Sequence, residues 1–288
     1  MYYEHSRRPA AAKVLQLEAL LSYSDTLADA ISLASLTSRE ELTTIAETGQ
    51  EILKDVAVGE GPTLVAPFQV PIIGQSSNEK LQNSSEELDC SVVPKLEARL
   101  EMNLALMYTI LIHTKGYDAL IPKRGELVGR AGRKYLREDF QTRMQLCQRL
   151  GSIRYFDIAA ISLGLYPEHL GQELQEQFQN AYSMLGIAQE IARGYTRYDQ
   201  FLAAFNLGRL EFIDAAKSQN RTRSYLKEAH RLQASINNRP FQALTTHYLS
   251  ALKDQQRYGK VIDDPPEYRS VLQELASVKS PLSRIIAV

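Results

Sequence analysis

The sequence is poor in cysteine, which limits the kinds of protein it can encode. Its two cysteines, Cys90 and Cys147, are separated by a long helical pattern. Two distant cysteines make neither a disulfide framework nor the closely spaced pairs of a zinc site. We therefore expect two free thiols in a reducing, cytoplasmic compartment.

Long apolar runs and an excess of one charge are also missing. No stretch reaches the ~18 apolar residues that span a bilayer, and the charged N-terminus has no signal-peptide core. The 33 basic residues nearly balance the 34 acidic ones, so the chain has no global attraction for nucleic acid or an anionic membrane. We expect a soluble intracellular protein with no membrane or nucleic-acid partner.

Motifs that mark an enzyme are absent as well. The sequence contains no nucleophile elbow, dinucleotide fingerprint or paired-histidine motif. The segment from Gly125 to Lys134 has glycines and basic residues, but it lacks the Gly-Lys-Ser/Thr ending of a phosphate-binding loop. We expect no catalytic residue, no cofactor and no bound metal.

Strand-like alternation is missing too, whereas helical periodicity recurs along most of the chain. The sequence therefore predicts an all-α fold of about nine antiparallel helices in a concave array, as a single domain over residues 1–288. Residues 58–91 are the exception, because they are rich in proline and glycine and then in serine, asparagine and glutamate. Such a composition breaks helices, so we expect an inserted mobile loop there.

The first helical pattern runs from about Arg8 to Ala34 and is interrupted at Tyr23-Ser24-Asp25. One bent helix and a pair of helices both fit this pattern. Thr37 or Ser38 is then expected to cap the next helix, from Glu40 to Val56, by accepting a hydrogen bond from a first-turn N–H.

The stretch from Asn180 to Ala216 predicts two antiparallel helices joined by a turn at Gly194-Tyr195-Thr196. Each helix has apolar residues spaced three and four apart, which marks the face that packs against the body. Asn206, Arg209 and Glu211 lie on other faces of the second helix, where we expect binding chemistry.

A faint repeat accompanies these patterns. Leu163-Gly164, Leu207-Gly208 and Leu249-Ser250 follow one another at intervals of 44 and 42 residues. Similar pairs at similar helix positions are typical of stacked helical hairpins of tetratricopeptide type, although this period is longer than usual.

Taken in order, the second half of the chain resembles a divergent 14-3-3 protein. Asn180-Ala181-Tyr182 is similar to the opening of the family's helix six, and Leu202 to Asn206 is similar to its helix seven. The motif from Thr246 to Gln255 resembles the family's helix nine. Leu120-Ile121-Pro122 is a weaker match, and together these motifs are collinear over about two thirds of the chain.

The resemblance implies a set of peptide-binding residues. In the family, one lysine, two arginines and a tyrosine bind a phosphorylated side chain, while two asparagines hold the peptide backbone. Asn206 matches the first asparagine, and Gln255 replaces the second. Arg154-Tyr155 matches the Arg-Tyr pair of helix five, and Arg143 is the competing placement for the phosphate-binding arginine.

Structural roles remain open for the same residues. Arg154 can instead pair with a neighbouring acid such as Asp157, and Asn206 can form a hydrogen bond between helices. The helix-three candidate, Glu40 to Val56, has Lys54 and no arginine, so neither the family's helix-three Lys nor its Arg has a convincing counterpart there. The basic residues between Lys123 and Arg137 form either a solvated helix face or a second anionic contact.

The resemblance thus implies a non-catalytic adaptor in signal transduction, with a groove for a protein or phosphopeptide partner and a homodimer through the N-terminal helices. The alternative is a tetratricopeptide-like scaffold for an unphosphorylated partner. Arginine and tyrosine clustered opposite Asn206 and Gln255 would favour the adaptor, whereas a neutral or acidic groove would favour the scaffold.

Overall fold

The computed structural model describes residues 21–57, 92–135, 140–165 and 174–278. These ranges contain ten helices and no strand, which confirms the predicted all-α helical array. The predicted loop at 58–91 lies outside the described residues. The helices are α1 (21–33), α2 (Arg39–Ala57), α3 (Val92–Lys115), α4 (Ile121–Tyr135), α5 (Phe140–Ser162), α6 (Leu174–Ala192), α7 (Arg197–Ile213), α8 (Gln219–Ile236), α9 (Arg239–Lys253) and α10 (Pro266–Ser277).

Successive helices stack as antiparallel hairpins. Helices α3, α5, α7 and α9 contact one another in sequence, and we call them the inner row. Each inner helix packs against the helix that follows it, so α4, α6, α8 and α10 form the outer row. Helix α2 packs on α3 and also meets α10, which joins the two ends of the array. This arrangement leaves one face of the inner row to be covered by α1.

The structure bears on two local signals near the first helices. Residues 21–33 form one continuous helix, so a single helix runs through Tyr23-Ser24-Asp25, while residues 8–20 of the predicted pattern lie outside the described residues. Ser38 directly precedes α2 as predicted, but its hydroxyl donates to the Asp264 carboxylate at 2.8 Å instead of accepting a first-turn N–H. By contrast, the predicted turn at Gly194-Tyr195-Thr196 is present, and Thr196 forms a capping box with Asp199 at the start of α7.

Close contact within the hairpins depends on glycine. An added Cβ at Gly151 of α5 would lie 2.4 Å from Leu185 of α6, and one at Gly208 of α7 would lie 2.8 Å from Leu226 of α8. Both glycines therefore let an inner helix approach its outer partner closely. Their interval is 57 residues, which differs from the predicted repeat.

The predicted equivalence of Gly164 with Gly208 is wrong. Gly164 follows the end of α5 with φ of +68°, so it is required by a left-handed turn and has nothing within 4 Å of an added Cβ. Ser250 lies on the exposed side of α9. The three dipeptides thus do not occupy similar helix positions.

Helix α7 lies at the centre of the array. Every residue from Phe201 to Ile213 is buried. The faces that carry Asn206, Arg209 and Glu211 are therefore covered by neighbouring helices, and they are not the open surface that the apolar stripe alone suggests. No helix in the described ranges is long and apolar enough to cross a bilayer.

We predict that Gly151→Ala destabilises the protein by about 1–3 kcal/mol, because the new methyl group overlaps the buried Leu185 side chain. The matched control is Gly186→Ala, at the residue that follows Leu185 on α6, since nothing lies within 4 Å of an added Cβ there. It should stabilise by about 0.5–1 kcal/mol through helix propensity. Urea unfolding followed by circular dichroism measures both, and equal effects would contradict the close contact.

Candidate functional site

Helix α1 lies across the inner row and presents two aspartates to it. Asp25 accepts hydrogen bonds from Arg99 and Asn103 of α3, the latter at 2.7 Å. Asp29 forms an ion pair with Arg149 of α5, with 2.6 Å between Oδ1 and Nη2. Because residues four apart share one face of a helix, the two carboxylates act together along the row.

Arg149 is the most highly connected of these cations. Its Nε donates to Asn103 Oδ1 at 3.0 Å, its Nη1 to Ser32 Oγ at 3.3 Å and its Nη2 to the Asp25 carbonyl at 3.3 Å. Burial lowers the pKa of Arg149, but the charges of Asp29 and Asp25 outweigh burial, so its pKa lies above the usual value. The guanidinium therefore stays charged where α1, α3 and α5 meet.

Two tyrosines hold the second half of α1. Tyr198 of α7 donates to Asp29 Oδ2 at 3.0 Å, and Tyr268 of α10 donates to the Ala30 carbonyl at 2.7 Å. Burial and the Asp29 charge raise the pKa of Tyr198, so its hydroxyl remains a donor. Helix α1 is thus bound by side chains from three inner helices and from α10.

Arg209 of α7 reaches the end of α1 from a fully buried position. Its guanidinium stacks 3.7 Å from the centroid of the Tyr155 ring, and its Nη1 donates to the Ala34 carbonyl at 2.9 Å. Stacking on an aromatic face offsets part of the cost of burying this charge. Its Nε and Nη2 form no hydrogen bond within the described ranges.

Asp264 holds the turn between α1 and α2. Its carboxylate accepts two bonds from the Ser35 backbone N–H, at 2.9 and 3.0 Å, and one from the Ser38 hydroxyl. Burial raises the pKa of Asp264 to about 7, although those hydrogen bonds and the Arg209 charge act in the opposite direction. Residues 34–38 are therefore fixed between Arg209 and Asp264.

We use the term α1 groove for the surface formed by the side chains that bind α1: Arg99, Asn103, Arg149, Tyr198 and Arg209. In the sequence, Arg149 continues the basic residues that begin at Lys123, and Arg209 is one of the polar residues that lie off the apolar stripe of its helix. The spacing of Asp25 and Asp29 beside the apolar stripe of α1 is the one signal that indicates this surface, because it places two acids on one helix edge.

A second buried cluster surrounds Asp157. Its Oδ1 lies 2.8 Å from His113 Nε2 and 2.7 Å from Arg124 Nη1, while Arg154 Nη1 lies 3.5 Å from Oδ2. Burial alone would raise the pKa of Asp157, but the His113 hydrogen bond and the Arg124 charge hold it below its usual range. His113 and Asp157 are both buried, so this pair joins α3 to α5 and is closed to a substrate.

The structure separates the predicted peptide-binding residues. Arg154 pairs with Asp157 and donates to Gln177 of α6 at 3.2 Å, while Tyr155 points to another face, under Arg209. Asn206 is 2% exposed, and its Oδ1 has no hydrogen-bond partner among the described residues. Gln255 is exposed in the turn after α9, which ends at Lys253.

Arg143, the competing placement, lies on α5 one turn before Cys147. Burial raises the pKa of the Cys147 thiol to about 11, against an opposite effect of the Arg143 charge. The thiol is free, as predicted, and it remains protonated at neutral pH. Cys90 lies outside the described residues. The peptide-binding roles of Arg143, Arg154, Tyr155, Asn206 and Gln255 stay predictions.

The fold and groove define a stacked-hairpin array with a helix bound across its inner row. Comparisons of this chain with protein-family models, curated proteins and solved structures find no match. The resemblance to 14-3-3 proteins therefore stays a prediction, and the groove is the structural feature that bears on function.

We predict that Asp264→Asn makes stability less dependent on pH. The native state binds the Asp264 proton more tightly than the unfolded chain does, so the free energy of unfolding falls as pH rises from about 4 to 7. As pH rises from 5 to 8, ionisation of Asp264 should lower the free energy of unfolding of the wild type by about 2–3 kcal/mol. Urea titrations across this range measure the loss. Asp263→Asn removes an exposed neighbouring charge that contributes least to the raised pKa of Asp264, so it should keep most of the wild-type slope. An unchanged slope in Asp264→Asn would contradict the role of burial.

We also predict strong energetic coupling between Asp29 and Arg149. A double-mutant cycle with Asp29→Asn and Arg149→Gln should give an interaction energy of about 1–3 kcal/mol, because the pair is largely buried and hydrogen-bonded. The matched pair is Glu228 and Arg231 on the exposed face of α8, where solvent screens the charges. Urea unfolding of the six variants and the shared wild type measures both interaction energies, and equal coupling in the two pairs would refute the prediction.

Proposed function

We propose that this chain is a non-catalytic scaffold whose α1 groove binds an unphosphorylated helical segment of a partner protein. The observation that supports this proposal is the binding of α1 itself. Side chains of α3, α5 and α7 hold a helix through carboxylates on one edge and a carbonyl at its end. This chemistry suits a helical ligand, whereas an extended phosphopeptide would need free cations and side-chain amides.

The surroundings of the predicted phosphate-binding residues support the unphosphorylated ligand further. Arg154 is within 3.5 Å of the Asp157 carboxylate, so a phosphate near it would meet an ionised acid. Tyr155 is buried behind Arg209, and Asn206 is buried on α7. A phosphopeptide would have to separate several helices before it reached all three, which costs buried apolar contact.

The alternative hypothesis is a divergent 14-3-3 adaptor that binds phosphopeptides. This hypothesis includes the homodimer through the N-terminal helices and the role in signal transduction that the resemblance implies. The scaffold proposal does not use this homodimer, because most described residues of α1 pack within their own chain. The cytoplasmic location is part of this proposal and rests on the two widely separated cysteines of the sequence.

Paired peptide libraries test the proposal. The full chain is immobilised and exposed to helical peptides, each made with serine and with phosphoserine at the same position. We expect the enriched sequences to bind equally well in both forms, and we expect Arg154→Ala to leave this binding unchanged. Arg193→Ala, an exposed arginine just after α6, is the matched control.

Two results would overturn the proposal. Binding that requires phosphate and is lost in Arg154→Ala, but not in Arg193→Ala, would support the 14-3-3 hypothesis instead. If the chain is folded by circular dichroism and binds neither library, the groove is excluded as a peptide-binding site.

A further inference from the structure

We propose that α1 is the groove's internal ligand, and that the partner is an acidic amphipathic helix with two carboxylates four residues apart, which displaces α1. This inference rests on the proposed function. It adds the chemistry of the partner and a competition between α1 and that partner for the same surface.

Charge complementarity identifies the acidic character of the partner. The groove carries Arg99, Arg149 and Arg209, one on each of three successive inner helices. Asp25 and Asp29 of α1 pair with the first two of these arginines. A helix without acids at these positions would leave Arg149 buried and unpaired, which strongly disfavours binding. The groove therefore selects for carboxylates at positions i and i+4.

Burial identifies the amphipathic character. Leu21, Leu27, Ala28 and Ile31 of α1 are at most 2% exposed, while Ser22 and Thr26 face solvent. A helix that replaces α1 must bring a comparable apolar stripe, because otherwise the inner row would lose its cover. The acids then lie along the edge of that stripe, as Asp25 and Asp29 do.

Unused hydrogen-bonding groups explain how a partner can replace α1. In the described part of the chain, Arg209 Nε and Nη2 are buried in the α1 groove without hydrogen bonds. A buried group left without a partner is costly, so α1 satisfies the groove incompletely. A helix that continues with an acceptor near Arg209 would satisfy more of these groups than α1 does. Such a helix gains a hydrogen bond that α1 does not make.

Peptide binding to the full chain tests the inference. The probe is a fluorescent peptide with the sequence of residues 21–36, and its matched control carries Asn in place of Asp25 and Asp29. Asp29→Asn in the protein weakens the docking of α1 but leaves the groove unchanged. Apparent affinity rises with the fraction of chains whose groove is open. We expect this variant to bind the probe about tenfold more tightly than the wild type, as loss of a charged hydrogen bond predicts.

The control variant is Glu228→Gln, which removes an exposed ion pair on α8 far from α1 in the chain. It should bind the probe as the wild type does, and the Asn-substituted peptide should bind each protein at least tenfold more weakly than the probe. Failure of folded Asp29→Asn to bind the probe, or equal binding of the two peptides, would overturn the inference. If library peptides still bind the chain in that case, the proposed function survives; if they also fail, both are wrong.

Discussion

The ion pair between Asp29 of α1 and Arg149 of α5 is the contact on which the docking of α1 against the array depends. Arg149 lies where α1, α3 and α5 meet, and its remaining donors bind Asn103 and Ser32. Without α1, this guanidinium would lose its counterion Asp29, and the apolar side chains of the inner row would lose their cover. Helix α1 therefore completes the core, and it also occupies the surface that a stacked-hairpin protein would offer to a partner.

Periodicity predicted the helices well, because an apolar stripe is a property of local sequence. Tertiary features were harder to predict. Gly164 and Gly208 look alike in the sequence, but the first serves a left-handed turn and the second a close contact with Leu226. The long loop predicted at 58–91 lies outside the described residues. Local patterns thus predict where a helix lies more reliably than what its glycines contact.

The candidate site was predicted less well than the fold. Asn206, Arg209 and Glu211 lie off the apolar stripe of α7, and a stripe normally marks the single buried face of a helix. Helix α7 is buried on all sides, so these polar groups meet other helices. Stacking of Arg209 on Tyr155, 54 residues earlier in the chain, has no local signal. The ion pair of Arg154 with Asp157 was foreseeable, because the two residues lie one helical turn apart.

Native-state hydrogen exchange of the α1 amides tests most directly whether α1 can leave the groove while the array stays folded. We expect amides in residues 21–33 to exchange through an opening of lower free energy than the amides of α7 do. We also expect Asp29→Asn to lower the opening free energy of α1 but not that of α7. Identical opening free energies for α1 and α7, shifted together by Asp29→Asn, would mean that α1 separates only on global unfolding. That result would contradict the account of α1 as a displaceable ligand.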